Sequence, residues 1–290
     1  MIDKYINPHT DFGFKRLFGS EFNKELLISF LNAMFHGEQN VQNVTYLNSE
    51  QLGDRVDARR AIFDVYCENE HGEKFIVEMQ NAFQTYFKDR SLYYSTFPIR
   101  EQAPKGTDWN FRLKHVYVVA LLNFEMNEES FCAKDINHDI GLLDKKTHRI
   151  FNDKLTFKYV EIAKFDKEID QLETVYDKWL YVLKNLSRLD RQPKHLQSEV
   201  FNRLFAEAEM AKFTKQELKE YEDSLKAYRD IKNSLDTAKE EGRMEGREEG
   251  LAEGERNKAL EIAKAMKSKG FSAEDIAQIT GLAAKDIENL

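Results

Sequence analysis

The run His115-Val116-Tyr117-Val118-Val119-Ala120-Leu121-Leu122 constrains the fold more than any other stretch of the 290-residue chain. A strand with one wet face alternates apolar and polar side chains. This one is apolar almost throughout, as a strand covered on both faces must be. It belongs in the middle of a sheet, and its neighbours supply the rest of a mixed α/β domain. Residues 22–36 carry Leu26, Leu27, Phe30, Leu31 and Met34 at helical spacing. A polar, β-tending stretch follows over 41–52. Residues 61–68 (Ala-Ile-Phe-Asp-Val-Tyr-Cys-Glu) read as a strand, Glu70-His71-Gly72 as a turn, and 74–80 (Lys-Phe-Ile-Val-Glu-Met-Gln) as the return strand. Residues 84–102 suit a helix, with Pro98 expected to kink it. A loop is expected at 104–108, further strands at 131–136 and 148–162, and the end of the domain near 166.

Composition narrows the function classes. With 21 Phe and 12 Tyr the chain is too aromatic to be a disordered, solvating one. Four Pro and two Cys exclude a Pro-rich or disulfide-stapled scaffold. No run approaches the roughly 18 apolar residues that span a bilayer, and the N-terminus shows no signal-peptide pattern. The expectation is a cytoplasmic protein without a membrane partner, with Cys67 and Cys132 reduced and buried. The net charge of −8 argues against coating nucleic acid by bulk charge. The acid is uneven. Residues 236–290 hold 9 Lys and Arg against 13 Asp and Glu, a net of −4, so a local basic groove in the first half is compatible with the total.

From about 170 the pattern is helical. Leu218, Tyr221, Leu225, Tyr228, Ile231 and Leu235 trace a seam that suits a coiled coil. Within it, Glu241-Gly242, Glu245-Gly246, Glu249-Gly250 and Glu253-Gly254 repeat every four residues. Each Gly costs about 1 kcal/mol against Ala in a helix. The stripe therefore serves either close approach of another backbone or a hinge of low helix stability. At the end, Gly270 stops one helix, Ser272 and Asp275 cap the next, and Thr280-Gly281-Leu282 turns into the last. This outline fits a DNA-binding helix-turn-helix or a small packing or dimerisation knob. With Lys285 the only base in the last helix, against Asp286 and Glu288, the knob is the favoured reading.

The chemistry concentrates on Asp64, Glu78 and Gln80. If the hairpin loop is the three residues Glu70-His71-Gly72, with Gly72 in the left-handed place, Asn69 faces Glu73 and Asp64 faces Glu78. Asp64, Glu78 and Gln80 then share one face. A two-residue loop would instead put Asp64 on the other face from Glu78. Two opposed carboxylates repel unless a cation lies between them, and hard oxygen ligands with room for water suit Mg²⁺ or Mn²⁺. Gln80, one pleat further, is placed to orient a water. The competing reading is two exposed acids on an edge hairpin.

The stretch 54–80, Asp-Arg-Val-Asp-Ala-Arg-Arg-Ala-Ile-Phe-Asp-Val-Tyr-Cys-Glu-Asn-Glu-His-Gly-Glu-Lys-Phe-Ile-Val-Glu-Met-Gln, resembles the core of the Rpn family of PD-(D/E)xK nucleases, the recombination-promoting or transposase-like nucleases. So do the opening Thr10-Asp11-Phe12-Gly13-Phe14-Lys15-Arg16-Leu17-Phe18, the stretch Arg90-Ser91-Leu92-Tyr93-Tyr94, the Glu-Gly repeat and the terminal Ile279-Thr280-Gly281-Leu282. The resemblance implies a restriction-endonuclease-like mixed sheet flanked by helices, followed by a helical C-terminal extension. It implies DNA as partner and Mg²⁺-dependent cleavage (or Mn²⁺ or Ca²⁺), in recombination, mobile-element or phage-defence settings. Asp64 and Glu78 are then the metal ligands. Gln80 stands where the wider superfamily has Lys, a departure familiar in this family, and an amide cannot stabilise developing negative charge as an ammonium does. Lys15 or Arg90 is the candidate replacement for that charge. Asp11 is either a further active-site acid or the cap of the helical turn through Phe14 and Phe18. Tyr94 is either a DNA-backbone contact or a core aromatic.

The expected division is a nuclease domain over 1–166, a helical extension with the Glu-Gly repeat over 167–257, and a small helical unit over 258–290, with self-association through the C-terminal helices. Other chemistries lack their signatures. The seven His show no HxxxH spacing, and CxxC, GxxxxGK(S/T) and GxSxG are all absent. The rival function is a catalytically weak DNA-binding or oligomeric interaction module.

Overall fold

The computed structural model describes residues 3–51, 61–103, 110–128 and 131–290. The expected loop at 104–108 and residues 54–60 of the motif stretch lie outside them. Two compact units are present, Met1–Lys232 and Asn233–Leu290. The first extends well beyond residue 166.

In the first unit, α1 (Asp11–Phe18) and α2 (Lys24–Met34) precede β1 (Val44–Tyr46) and the short pair β2 (Glu50–Gln51) and β3 (Ala61–Ile62). The hairpin follows as β4 (Val65–Asn69) and β5 (Lys74–Gln80), then α3 (Phe87–Glu101), β6 (Val116–Leu122), β7 (Asn137–Leu143) and β8 (Ile150–Glu161). Helices α4 (Val175–Asn185) and α5 (Glu199–Ala208) lead to α6 (Lys215–Ser268), which begins in this unit and continues into the second.

The six-stranded sheet has the order β1-β4-β5-β6-β8-β7. Strands β5, β6 and β8 run parallel and the outer pairings are antiparallel. All seven residues of β6 are buried and it lies between β5 and β8, so the apolar run does occupy the sheet interior. Alternation along the strands feeds two cores. Cys67, Phe75, Val77, Tyr117, Val119 and Leu121 face a core shared with α1, α2, α4 and α5. Tyr66, Ile76, Val118, Ala120 and Leu122 face the smaller core under α3, with Phe87 and Phe97. The larger core centres on Trp179, whose ring meets Phe18 at 5.5 Å, Phe30 at 5.7 Å and Phe201 at 5.2 Å.

Several expectations are corrected. The segment 131–136 is not a strand; the strand begins at Asn137 and pairs with β8 along the sheet edge. The loop left at 131–136 exposes Cys132, so only Cys67 is buried. The strand expected over 61–68 breaks at Phe63 and Asp64, between β3 and β4. The helix expected over 84–102 is present as α3, with Pro98 inside it. The seam on α6 begins by serving this unit: Tyr221 is buried in the larger core, with Leu218 and Leu225 packed against it. Ile231 and Leu235 remain exposed.

In the second unit, α6 ends before Gly270, α7 (Ala273–Thr280) starts at the Ser272 cap, and α8 (Ala284–Glu288) follows Gly281. Both glycines have positive φ, 84° and 71°, the left-handed stop that favours Gly. Ala263, Ile276 and Ile287 form a small core. Lys267 Nζ donates to the carbonyls of Ile287 and Glu288, holding the last turn. A Cβ at Gly242, Gly246, Gly250 or Gly254 would meet open space.

Candidate active site

The hairpin geometry follows from its loop. Gly72 has φ +74°, its N–H donates to Asn69 O, and Asn69 N–H donates to Glu73 O. This closes the three-residue turn expected from Glu70-His71-Gly72 and sets the register Val65↔Val77. One step further, Asp64 leaves the ladder opposite Glu78. There Asp64 Oδ2 accepts a hydrogen bond from the Met79 N–H at 2.8 Å. The carboxylates are thus adjacent at the carboxyl end of β5, next to the buried middle of the sheet.

Their environment is costly for two negative charges. Glu78 is 8% exposed. Burial first, and the Asp64 carboxylate second, push its pKa up to about 8, against the opposing pull of Arg90, of the Asp64 backbone N–H and of Gln80. Asp64 is raised too, chiefly by burial and then by Asp11; its bond from Met79 and the charges of Lys15 and Arg90 act the other way. Glu78 Oε2 accepts from Gln80 Nε2 at 2.9 Å, whereas the buried Oε1 has no hydrogen-bond partner. An unpartnered carboxylate oxygen beside a second carboxylate is what a divalent cation would satisfy. Among the described residues no group of three or more His, Cys, Asp or Glu is arranged to hold a metal. An ion here would rest on two carboxylates and otherwise on water or substrate oxygens.

The cationic side of the site comes from α3. Arg90 Nη2 donates to Gln80 Oε1, and Nη1 donates to Gln84 Oε1. Among the described residues no carboxylate forms an ion pair with Arg90. Its guanidinium lies 5.8 Å from the Phe87 ring centre and 5.9 Å from that of Tyr94. Tyr94 also packs edge-on to Phe63 at 5.3 Å, so it is both a core aromatic and a neighbour of the site. Glu78, Gln80 and Arg90 therefore form one hydrogen-bonded chain, with Asp64 beside it.

Asp11 and Lys15 reach the same electrostatic neighbourhood from α1, where they pair with each other at 2.8 Å. Thr10, not Asp11, caps that helix, its side chain accepting from the Gly13 N–H. A Cβ on Gly13 would lie 2.1 Å from Asn7 O, so glycine is what lets the preceding loop fold back so tightly. Asn81 Nδ2 then donates to His9 O at 2.6 Å, tying that loop to the residue after Gln80.

Sequence reasoning missed Asn81 and Gln84. Asn81 directly follows Gln80, and Gln84 lies in the loop before α3; neither has a spacing signal. It also missed a buried network at the end of β8. Glu161 is fully buried and meets His138 at 2.6 Å, Lys164 at 2.8 Å and the Met126 N–H at 2.7 Å, fixing the loop after β6.

Residues 8–238 match the PD-(D/E)XK nuclease family transposase family. Residues 256–290 match the C-terminal helix-turn-helix domain of the Rpn/YhgA-like nuclease family. The second match corrects the preference for a mere packing knob. The low count of bases misled there, because the helix-turn-helix outline is set by caps and glycines rather than by charge. No curated protein and no solved structure matches the chain. No helix among the described residues is long and apolar enough to cross a membrane. With four-fifths of its length matched and a mixed sheet flanked by helices, the restriction-endonuclease-like arrangement, the chain belongs to the PD-(D/E)XK nuclease family transposases.

Proposed function

We propose that the chain is a divalent-metal-dependent DNA endonuclease of low sequence specificity, with Asp64 and Glu78 as the ligands of the ion. The observation that carries this reading is the buried, unpartnered Oε1 of Glu78 beside Asp64. Mg²⁺ suits two hard carboxylates with room for water, and Mn²⁺ or Ca²⁺ share the preference for oxygen. When bound, such an ion lowers the pKa of a water and offsets charge on a phosphodiester.

The chain's own residues do the rest. Gln80 links Glu78 to Arg90 and so fixes the carboxylate and the guanidinium relative to one another. Arg90 supplies the positive charge that Gln80 lacks, directed at the negative charge that builds on phosphate oxygens. Lys15, held by Asp11, adds a second cation from α1. Tyr94 backs the guanidinium with its ring and meets the DNA backbone. In-line hydrolysis asks for positioning and charge neutralisation rather than a covalent nucleophile.

The helix-turn-helix domain provides a further DNA contact, and α6 with the terminal helices supports homo-oligomers. The biological setting is recombination, mobile elements or phage defence in the cytoplasm. The rival, a weakly catalytic DNA-binding module, draws on Gln80 in the lysine place and on the helix-turn-helix match.

Plasmid cleavage separates the two. Purified protein with Mg²⁺, Mn²⁺ or Ca²⁺ should nick supercoiled DNA, EDTA should stop it, and a folded Asp64→Asn variant should lose at least about a hundredfold in rate. Folded wild type that fails to cut with any of the three metals would hand the case to the binding module.

A further inference from the structure

A cavity of about 940 Å³ opens beside Arg90 on the α3 side of the site. Its walls are Phe83, Gln84, Tyr86, Asp89, Arg90 and Tyr93. Three of these are aromatic and strongly exposed: Phe83 at 49%, Tyr86 at 74% and Tyr93 at 43%. Such a cluster is unusual on a free surface, where exposed apolar side chains are normally scattered. Two of the three rings are braced. Phe83 stands edge-on to Phe124 at 5.7 Å, and Tyr93 edge-on to Phe97 at 5.1 Å. The cavity is therefore an open aromatic slot, braced at Phe83 and Tyr93, whose volume falls in the range of small-ligand sites, roughly 300–1,000 Å³.

We propose that this slot receives an unpaired base of the strand being cut, so that the preferred substrate is DNA that is single-stranded or locally unpaired at the site. The proposal rests on the nuclease reading of Asp64 and Glu78. Arg90 is the link: the guanidinium that lines the slot is bonded to Gln80, and Gln80 to Glu78. A strand with its phosphate near the carboxylates and Arg90 puts its neighbouring base against Phe83, Tyr86 or Tyr93. In a duplex both faces of each base are covered by stacking neighbours, so an aromatic slot offers it nothing. An unpaired base has a free π-face, and ring stacking holds any of the four bases alike. This fits low sequence preference. It also fits a chain of net charge −8, which does not coat DNA by bulk charge. The arginine contributes both charge and a planar face.

The test uses the full-length protein and a fluorescein-labelled mixed-sequence oligonucleotide, single-stranded or annealed to its complement. Anisotropy in EDTA reads binding without cleavage, and Mg²⁺ reactions read cutting. The single strand should bind at least about tenfold more tightly than the duplex. Tyr86→Ala and Phe83→Ala should each lower single-strand affinity by roughly five- to a hundredfold, with duplex affinity changing less than about twofold. Tyr86→Phe keeps the ring and should keep the affinity. Tyr86 makes no side-chain cap bond to α3, so the alanine variant does not remove one. Equal affinity for both forms, or equal loss on both, overturns the slot. So does a Tyr86→Ala change in sedimentation mass without a change in single-strand affinity, which would make a second copy of the chain the occupant. Ring-dependent binding in EDTA with no cutting under any metal would support the slot and sink only the nuclease reading. Cutting of both forms alike, unaffected by the ring variants, would do the reverse.

Discussion

Replacing Glu78 by Gln should stabilise the metal-free protein, and by an amount that depends on pH. Burial, then the Asp64 carboxylate, raise Glu78 from its ordinary 4.5 to about 8. The folded state holds this proton more tightly than the unfolded state does. Stability contributed by the group is therefore full below about 4.5 and is lost as pH rises toward 8. From 4.5 to pH 7 there are two and a half pH units, at ~1.36 kcal/mol each, or about 3 kcal/mol in all. The side chain is 8% exposed, so water screens little of this. Glu78→Gln carries no titrating proton, and its amide oxygen can still accept from Gln80. Urea unfolding of the full chain in EDTA, followed by tryptophan fluorescence, reads the effect through Trp179 in the larger core. The difference between variant and wild type should grow by about 3 kcal/mol from pH 4.5 to pH 7. Adding Mg²⁺ should shrink it by stabilising the wild type alone. A difference that stays flat across pH, or an equal Mg²⁺ gain in the variant, would refute both the buried-charge argument and the ligand assignment.

Three further outcomes are expected. Arg90→Ala should slow single-turnover cleavage by about a hundred- to a thousandfold, and Arg90→Lys should recover only part of it, since an ammonium cannot span Gln80 and Gln84 as the fork does. His9 is held neutral by burial, its pKa lowered to about 4; its contribution to stability is full above 6.5 and falls away toward pH 4, by at most about 3 kcal/mol. His9→Phe should flatten that acid limb in urea titrations, and an unchanged limb would count against it. Deleting 236–290 should lower the mass seen by light scattering; the same mass would remove self-association through the tail.

Much of the hairpin was legible because local rules decide it. One glycine at a left-handed position fixes the loop, the loop fixes the register, and the register puts Asp64 beside Glu78. The run 116–122 was legible because a strand buried on both faces has no polar alternation to hide it. The strand at Asn137–Leu143 was not, since it pairs at the sheet edge and much of it is exposed. Its signal is weaker than that of Phe131 and Cys132 in the loop before it. The helices after 170 read correctly as helices, but nothing in their spacing showed that Trp179, Leu204 and Tyr221 complete the core of the first unit. Arg90 is ten residues from Gln80, and their contact depends on how α3 packs against the sheet, a tertiary outcome beyond any periodicity.

That contact has a consequence for how the charge of Arg90 is used. A guanidinium clamped by a carboxylate is aimed but largely neutralised. Here the described hydrogen-bond partners are carboxamides, Gln80 and Gln84, so the group is aimed without a direct carboxylate clamp, and its charge is shared only at longer range with Glu78 and Asp64. Lysine at position 80 would therefore not restore a lost function. It would set two cations against each other and release the arginine from its anchor. Position 80 on the strand and position 90 on the helix behave as one interlocked unit, in which a change at either must be answered at the other.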